Sequence, residues 1–204
     1  LCDALQSETY HGASQVLILS ASSKTAIGVA QGLADDKNSP NIIAVTSRAN
    51  HDFVASLGCY DEIICYHQLG DIDASKATVM VDMAGNRAVL GAIHEALGDN
   101  MLSCISVGMT HWETLSDNDP LAAKINRQRS SFFFAPAHVQ KRVGDWGQEG
   151  FSQQAGAFTR AREQQSKDWM TVETVPDFTA FAEVYADVVA GIMNPNEGLI
   201  VLPK

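Results

Sequence analysis

The sequence predicts an α/β protein with a Rossmann-like, doubly wound parallel sheet of about six strands and a C-terminal helix-strand extension. Short runs of consecutive apolar residues alternate with stretches of helical periodicity along most of the chain. Apolar runs without polar interruption indicate strands that are covered on both faces. Right-handed crossovers between such strands place helices on each side of the sheet. The composition, 46% hydrophobic and 19% charged over 204 residues, is that of a folded globular protein.

Six segments carry the strand pattern, namely residues 16–19, 42–45, 62–66, 78–82, 101–107 and 132–135. Helical periodicity connects them over residues 25–33, 53–57 and 87–97. Ser22 or Ser23 is expected to cap the first of these helices and Asn50 the second. Gly58 and Gly98 stand where helices commonly end.

The C-terminal part follows a different pattern from the alternating region. We expect a polar helix over 151–169, a strand over 170–175, an amphipathic helix over 177–192 and a strand over 198–202. The predicted division is a nucleotide-binding domain over 1–145 and an extension over 146–204. Because the chain begins with Leu1, we interpret it as a segment of a longer protein.

Charge and cysteine usage exclude several classes of function. The formal net charge of −10 argues against a general binder of nucleic acid or of anionic membranes. No apolar run approaches a membrane span, and no secretory leader is visible. The four cysteines form no CxxC pair or zinc-spaced cluster, so we expect free thiols, a cytoplasmic location and no metal.

Small polar residues form the turn after the first predicted strand, where a dinucleotide site usually has GxGxxG. The candidate phosphate-binding residues are Ser22, Ser23, Lys24 and Thr25, whose hydroxyls, positive charge and helix N-terminus suit an anion. A capped helix without a ligand is the alternative interpretation. A P-loop would need glycines where Ile18 and Ser23 stand, so hydrolysis of a nucleoside triphosphate is disfavoured.

The end of the second predicted strand favours NADP over NAD. An NAD site normally has Asp or Glu here, whereas an NADP site offers a cation or hydroxyl to the 2′-phosphate. Ser47 and Arg48 occupy this place, and no carboxylate follows the strand until Asp52. A guanidinium binds phosphate through two hydrogen bonds, although a solvated surface arginine is the alternative. The missing carboxylate also counts against a SAM-dependent methyltransferase.

Four segments together resemble medium-chain dehydrogenase/reductases. They are the first strand with its turn, a helix-to-strand segment that ends in tyrosine, a strand followed by aspartate and glycine, and a valine-glycine strand end: residues 15–23, 53–66, 79–86 and 105–109. The sequence looks closest to the zinc-independent quinone-oxidoreductase branch. Its turn over residues 20–26 resembles a bacterial group with no established function. The resemblance covers residues 12–135 well and the C-terminal part more loosely.

The resemblance implies an NADP-binding half joined to a GroES-like substrate half that would lie mainly N-terminal to this segment. By position, it implies cofactor contacts from Ser23, Lys24 and Thr25 (pyrophosphate), Ser47 and Arg48 (2′-phosphate), Tyr66 (adenosine end), Ala84 and Gly85 (groove), Val107, Gly108 and Met109 (nicotinamide), and Phe133 with Phe134 (wall). It also implies a homodimer paired through the sixth strand near Phe132. A core strand or a dimer-edge strand is the alternative interpretation of the phenylalanine run.

The sequence assigns no catalytic residue. His111 follows the fifth strand and could reach a bound nicotinamide, whereas His51 and His94 are expected to be solvated. Asp82 is expected to be a structural carboxylate at a strand end. Neither a GxSxG elbow nor a Tyr-xxx-Lys pair is present. Hydride transfer depends mainly on the cofactor and its orientation, so this absence does not exclude a reductase.

The leading hypothesis is therefore the NADPH-binding part of a zinc-independent oxidoreductase. It would transfer hydride to a small-molecule quinone, enone or activated carbonyl. The alternative is a Rossmann-like domain that binds a nucleotide as a sensor without catalysis.

Overall fold

The computed structural model describes residues 1–108 and 120–202. The chain divides into two compact units, Leu1–Ala155 and Gly156–Lys204.

The first unit contains a six-stranded sheet in the order β3-β2-β1-β4-β5-β6, and every neighbouring pair is parallel. The strands are β1 (Gln15–Leu19), β2 (Asn41–Thr46), β3 (Glu62–Cys65), β4 (Thr78–Asp82), β5 (Met101–Ser106) and β6 (Ser130–Phe132). This arrangement confirms the predicted doubly wound fold. The chain reverses its direction of winding between β1 and β4, and ligands of such folds bind beyond the strand ends at that point.

Helices cover both faces of the sheet. They are α1 (Cys2–Ser7), α2 (Lys24–Ala34), α3 (His51–Ser56) and α4 (Arg87–Leu97). A longer helix, α5 (Ala135–Ser166), follows β6. Alternate residues of β1 enter two different cores: Val16 and Ile18 pack with α2, whereas Leu17 and Leu19 pack with α4. Successive strand side chains point to opposite faces, and this explains why the predicted strands are apolar without interruption.

The amino-terminal helix α1 is a feature that the sequence did not predict. Its Cys2 and Leu5 are buried, and the Cys2 thiol donates a hydrogen bond to the carbonyl of Val29. On its outer side the Asp3 carboxylate accepts a hydrogen bond from Arg142 Nε at 2.5 Å and contacts His138 Nε2 at 2.6 Å. Burial alone would raise the pKa of Asp3, but the hydrogen bonds to the Arg142 and His138 side chains lower it. A helix of six residues is too short to show a clear period.

The sixth strand lies earlier in the chain than predicted. The expected strand over 132–135 is wrong at both ends, because β6 covers Ser130–Phe132 and Ala135 already begins α5. Pro136 favours this early start, since proline suits the first turn of a helix. The predicted helix that begins at Phe151 is the continuation of α5 beyond Gly147, whose φ of +73° interrupts the helix.

His94 is buried rather than solvated, which corrects the prediction. It is 4% exposed and lies on the same face of α4 as the buried residues Leu90 and Leu97. These positions are four and three residues from His94, so they share one side of the helix. The helical periodicity therefore indicates a buried position for His94. The prediction of a solvated side chain followed the polarity of imidazole instead.

The second unit contains a parallel pair of strands, β7 (Thr171–Val175) and β8 (Glu197–Val201), connected through helix α6 (Phe178–Ala190). These elements lie close to their predicted positions. The Asp177 carboxylate accepts from the Ala180 N–H at the start of α6, and Gly191 ends the helix with a φ of +67°. No helix among the described residues is long and apolar enough to cross a membrane.

Candidate functional site

The first turn of the site follows β1 and has a conformation that normally requires glycine. Ser20 has a φ of +54°, in the left-handed region that L side chains rarely adopt. Its N–H donates to the Tyr66 hydroxyl at 3.0 Å, and its carbonyl accepts from the Ser23 N–H at 2.8 Å. Tyr60 secures the same turn by donating its hydroxyl hydrogen to the Ala21 carbonyl at 2.8 Å. Burial raises the pKa of Tyr60, so this donor keeps its proton.

The first and second turns are joined by side-chain hydrogen bonds. Of the two predicted candidates, Ser22 and Ser23, it is Ser23 that caps α2 by accepting from the Ala26 N–H. Asn50 does not cap α3 with its side chain. Its amide instead donates to the Ser22 hydroxyl at 2.8 Å, and its N–H donates to the Ser47 hydroxyl. These bonds hold Ser22 and Ser47 near each other, while Lys24 and Thr25 remain exposed at the start of α2.

Arg48 opens onto a surface depression beyond the ends of β2 and β3. Its volume is about 490 Å³, and its lining comprises Arg48, His51, Asp52, Cys65, His67 and Gln68. We call this feature the Arg48 depression. Within it, Nδ1 of His51 lies 3.0 Å from a carboxylate oxygen of Asp52. Because the Arg48 guanidinium lines it, the depression is suited to an anionic group beside the end of β2.

The ends of β4 and β5 form a second, tightly bonded part of the site. The Asp82 carboxylate accepts hydrogen bonds from the N–H groups of Ala84 and Gly85, and the Asp82 carbonyl accepts from the Val107 N–H at 2.8 Å. The structural role predicted for Asp82 is therefore confirmed. A Cβ at Gly108 would lie 2.5 Å from the Met83 carbonyl oxygen, so only glycine fits the approach of these two chain segments.

Phe133 contributes to the core beside this region. Its N–H donates to the Ser106 carbonyl at 2.8 Å, and its half-buried ring packs against the same cluster as Val107. Its centroid lies 5.6 Å from that of the His138 ring. Phe134 is 60% exposed. Two residues named from the sequence, Met109 and His111, lie outside the described residues.

The Cys104 thiol on β5 is not an activated nucleophile. All four cysteines of the chain are free and buried, as predicted. Burial, together with the nearby Asp82 carboxylate, raises the pKa of the Cys104 thiol to about 12. At neutral pH this thiol stays protonated, and thiolate is the reactive form.

The sequence did not place His51 or His67 at the site. Both line the Arg48 depression, and His67 follows the last residue of β3 by two positions. The place of His67 just after β3 could have indicated this, because residues that follow parallel strands lie at the same edge of the sheet.

A family model matches residues 1–194 of the chain. The chain belongs to the family described as "Protein of unknown function (DUF2855)". This finding agrees with the resemblance of the first turn to a group without an established function. Among curated proteins, none matches the chain.

Solved structures of oxidoreductases share the fold of this family member. The yhdH oxidoreductase from Salmonella enterica in complex with NADP matches with a TM-score of 0.60 and 16% identity, over 100% of this chain and 59% of that one. The quinone oxidoreductase from Coxiella burnetii matches with a TM-score of 0.59 and 16% identity, over 97% of this chain and 57% of that one. A putative NADPH:quinone reductase from Bacillus thuringiensis matches with a TM-score of 0.57 and 15% identity, over 100% of this chain and 62% of that one.

The predicted resemblance to the quinone-oxidoreductase branch is thus confirmed for the fold. At such identities a shared fold does not establish a shared activity. The chain spans less than two thirds of the length of each of these three structures.

Proposed function

We propose that the unit Leu1–Ala155 binds NADPH and forms the cofactor-binding part of an oxidoreductase that reduces a quinone, enone or activated carbonyl. The observation that carries the proposal is the position of Arg48. It directly follows Ser47 at the end of β2, and its side chain lines an open depression of about 490 Å³. The end of β2 is where a doubly wound dinucleotide site distinguishes NADP from NAD.

The first turn supports the pyrophosphate part of this proposal. Ser22 and Ser23 lie at the start of α2, an eleven-residue helix whose first N–H groups can donate to an anion. Exposed Lys24 and Thr25 add a positive charge and a hydroxyl. The left-handed φ of Ser20 gives the turn the tight bend that glycine supplies in other dinucleotide sites. The residues present therefore fit a diphosphate, with serine hydroxyls in place of glycine backbone.

The remaining contacts follow the same order along the strand ends. Ser47 and Arg48 would hold the 2′-phosphate, and Tyr66, anchored to Ser20, would border the adenosine end. The residues that would line the groove toward the nicotinamide are Ala84, Gly85, Val107, Gly108, Met109 and Phe133. Reduced nicotinamide supplies the hydride when it is bound. The bonds from Ala84 and Gly85 to Asp82 fix the wall of that groove.

Two further properties belong to the proposal. We place the protein in a reducing cytoplasm, which its four free cysteines support. We also propose a homodimer through β6, which is an edge strand whose Phe132 is 61% exposed. An exposed apolar edge commonly pairs with another strand.

The GroES-like substrate half and the polarising group for the substrate would come from a part of the protein not included in residues 1–204.

Calorimetric titration of the purified protein with NADPH and NADH tests the cofactor assignment. We expect NADPH to bind more tightly than NADH. We also expect Arg48→Ala to weaken NADPH by roughly 10- to 100-fold, because hydrogen bonds to charged groups contribute about 1.5–3 kcal/mol. NADH, which lacks the 2′-phosphate, should change by less than about twofold. Failure of both dinucleotides to bind at millimolar concentration, or equal losses on Arg48→Ala, would contradict the proposal.

The alternative function is a nucleotide-binding sensor without catalysis. It is favoured by the absence of glycine at Ser20 and Ser22 and by the structural engagement of Asp82. Assay of the full-length protein with NADPH and a panel of quinones and enones distinguishes the two. Turnover supports the oxidoreductase, whereas binding of NADPH without turnover of any member supports the sensor.

A further inference from the structure

The lining of the Arg48 depression contains two imidazoles and a guanidinium. Arg48 and His51 follow β2, whereas His67 follows β3. Among the described residues, neither Arg48 nor His67 forms an ion pair with a carboxylate. A cation and a titratable base without a protein counter-ion, on the wall of an open depression, suit an anion from solution.

The single carboxylate of the lining lies within hydrogen-bond distance of one of the imidazoles. Asp52 lies 3.0 Å from His51 Nδ1. With both imidazoles neutral, the Asp52 carboxylate opposes part of the attraction that Arg48 exerts on an incoming phosphate. Protonation of His51 neutralises Asp52, and protonation of His67 adds a further positive charge to the lining. The remaining lining residues are a thiol, Cys65, and an amide, Gln68, which donates toward Asp71.

A metal site does not account for this arrangement. Within residues 1–108 and 120–202, no group of three or more His, Cys, Asp or Glu is arranged to hold a metal ion. The guanidinium of Arg48 also disfavours a cation, because it cannot lose its charge in a protein. An anion is the ligand that this lining fits.

We propose that His51 and His67 act together with Arg48 as specificity-determining residues for the 2′-phosphate, so that the preference for NADP over NAD rises as the pH falls. This inference rests on the proposed function. Arg48 supplies the attraction that is present at every pH. His51 removes the repulsion from Asp52 when it is protonated, and His67 adds attraction from the β3 side.

The test measures NADP⁺ and NAD⁺ dissociation constants by calorimetry at about pH 6 and about pH 8, where imidazole changes its charge. For the unaltered protein, the ratio of the NAD⁺ to the NADP⁺ constant should be at least about threefold larger at the lower pH, as expected for surface charge pairs. The double variant His51→Gln/His67→Gln should lose this increase while it keeps a preference for NADP⁺. Arg48→Ala should lower the preference at both pH values.

Two comparisons separate the effect of the imidazoles from other effects of pH. The first is with the double variant: the 2′-phosphate itself gains a proton near pH 6, and this affects the unaltered protein and the double variant alike. His11→Asn removes an exposed histidine that does not line the depression, and it should keep the full pH dependence. Asparagine is chosen there because His11 has a φ of +53°, which asparagine tolerates.

The outcomes separate the inference from the function on which it rests. An equal pH dependence in the double variant, or a preference that is the same at both pH values in the unaltered protein, overturns the inference and leaves NADP binding intact. Failure of both dinucleotides to bind at either pH overturns the proposed function as well.

Discussion

Individual residues of the first turn show how the site replaces glycine. Ser20 keeps a φ of +54°, a conformation that costs of order 1 kcal/mol for a residue with a Cβ. Hydrogen bonds from its N–H to Tyr66 and from Ser23 to its carbonyl hold it there. Tyr60 and Asn50 tie the neighbouring residues Ala21 and Ser22. The turn, which contains no glycine, is therefore fixed by the side chains of Asn50, Tyr60 and Tyr66 from the connections that flank β3.

Gly108 permits the close approach of the β4 and β5 ends, and its substitution provides a test at this scale. A Cβ there would lie 2.5 Å from the Met83 carbonyl oxygen, so we expect Gly108→Ala to lower the free energy of unfolding by about 1–3 kcal/mol. Gly28→Ala is the matched control. Its Cβ would meet nothing within 4 Å, and alanine should stabilise α2 by up to about 1 kcal/mol. Urea unfolding measures both; equal effects would contradict the close approach.

At the scale of elements, α4 carries a buried histidine that makes stability depend on pH. His94 is 4% exposed, and its Nε2 has no hydrogen-bond partner among the described residues. Burial and the nearby Arg129 lower the pKa of His94 below its ordinary value of 6.5. The unfolded chain therefore binds a proton more readily than the folded chain in the range just below pH 6.5. In that range the free energy of unfolding falls as the pH falls.

We expect His94→Leu to reduce this acid sensitivity, because leucine fits among Leu90 and Leu97 and takes up no proton. Urea unfolding at about pH 7.5 and about pH 5.5 measures the loss of stability across the range in which imidazole titrates. His11→Asn, which removes an exposed histidine, should keep the loss of the unaltered protein. An identical loss in His94→Leu would show that other groups cause the acid sensitivity.

At the scale of the whole molecule, the edge strand β6 determines the expected assembly. Phe132 is 61% exposed at the edge of the six-stranded sheet. In a symmetric dimer the same patch of both protomers meets, so a lysine there would face its own copy across the interface. We expect the chain to be a dimer at micromolar concentration and Phe132→Lys to shift it to a monomer, as measured by light scattering.

Val189→Lys is the control for a change in surface hydrophobicity. Val189 is 67% exposed on α6 in the second unit. This variant should keep the oligomeric state of the unaltered protein. A monomeric unaltered chain, or a dimer that survives Phe132→Lys, would rule out the proposed interface.

The sequence by itself determined the fold class, because strands buried on both faces must be apolar at every position. It placed β4 and α4 at their observed bounds, over 78–82 and 87–97. It also placed Arg48 in the turn after β2 and gave Ser23 as one of two candidates to cap α2, because both lie in the segment that follows a strand. Strand and helix bounds and helix caps depend on residues that are close in the sequence, so the local sequence was sufficient to predict them.

Only the tertiary structure decided the features that join distant parts of the chain. The side chain of Asn50 bonds to Ser22 rather than to its own helix, and α1 is held by Arg142. His51 and His67 both line the Arg48 depression because β2 and β3 are adjacent and parallel, although the two histidines are sixteen positions apart in the chain. The hydrogen-bond partner of a side chain depends on which groups the fold places within reach and on how deeply the fold buries them. Neither quantity can be predicted from a local sequence pattern.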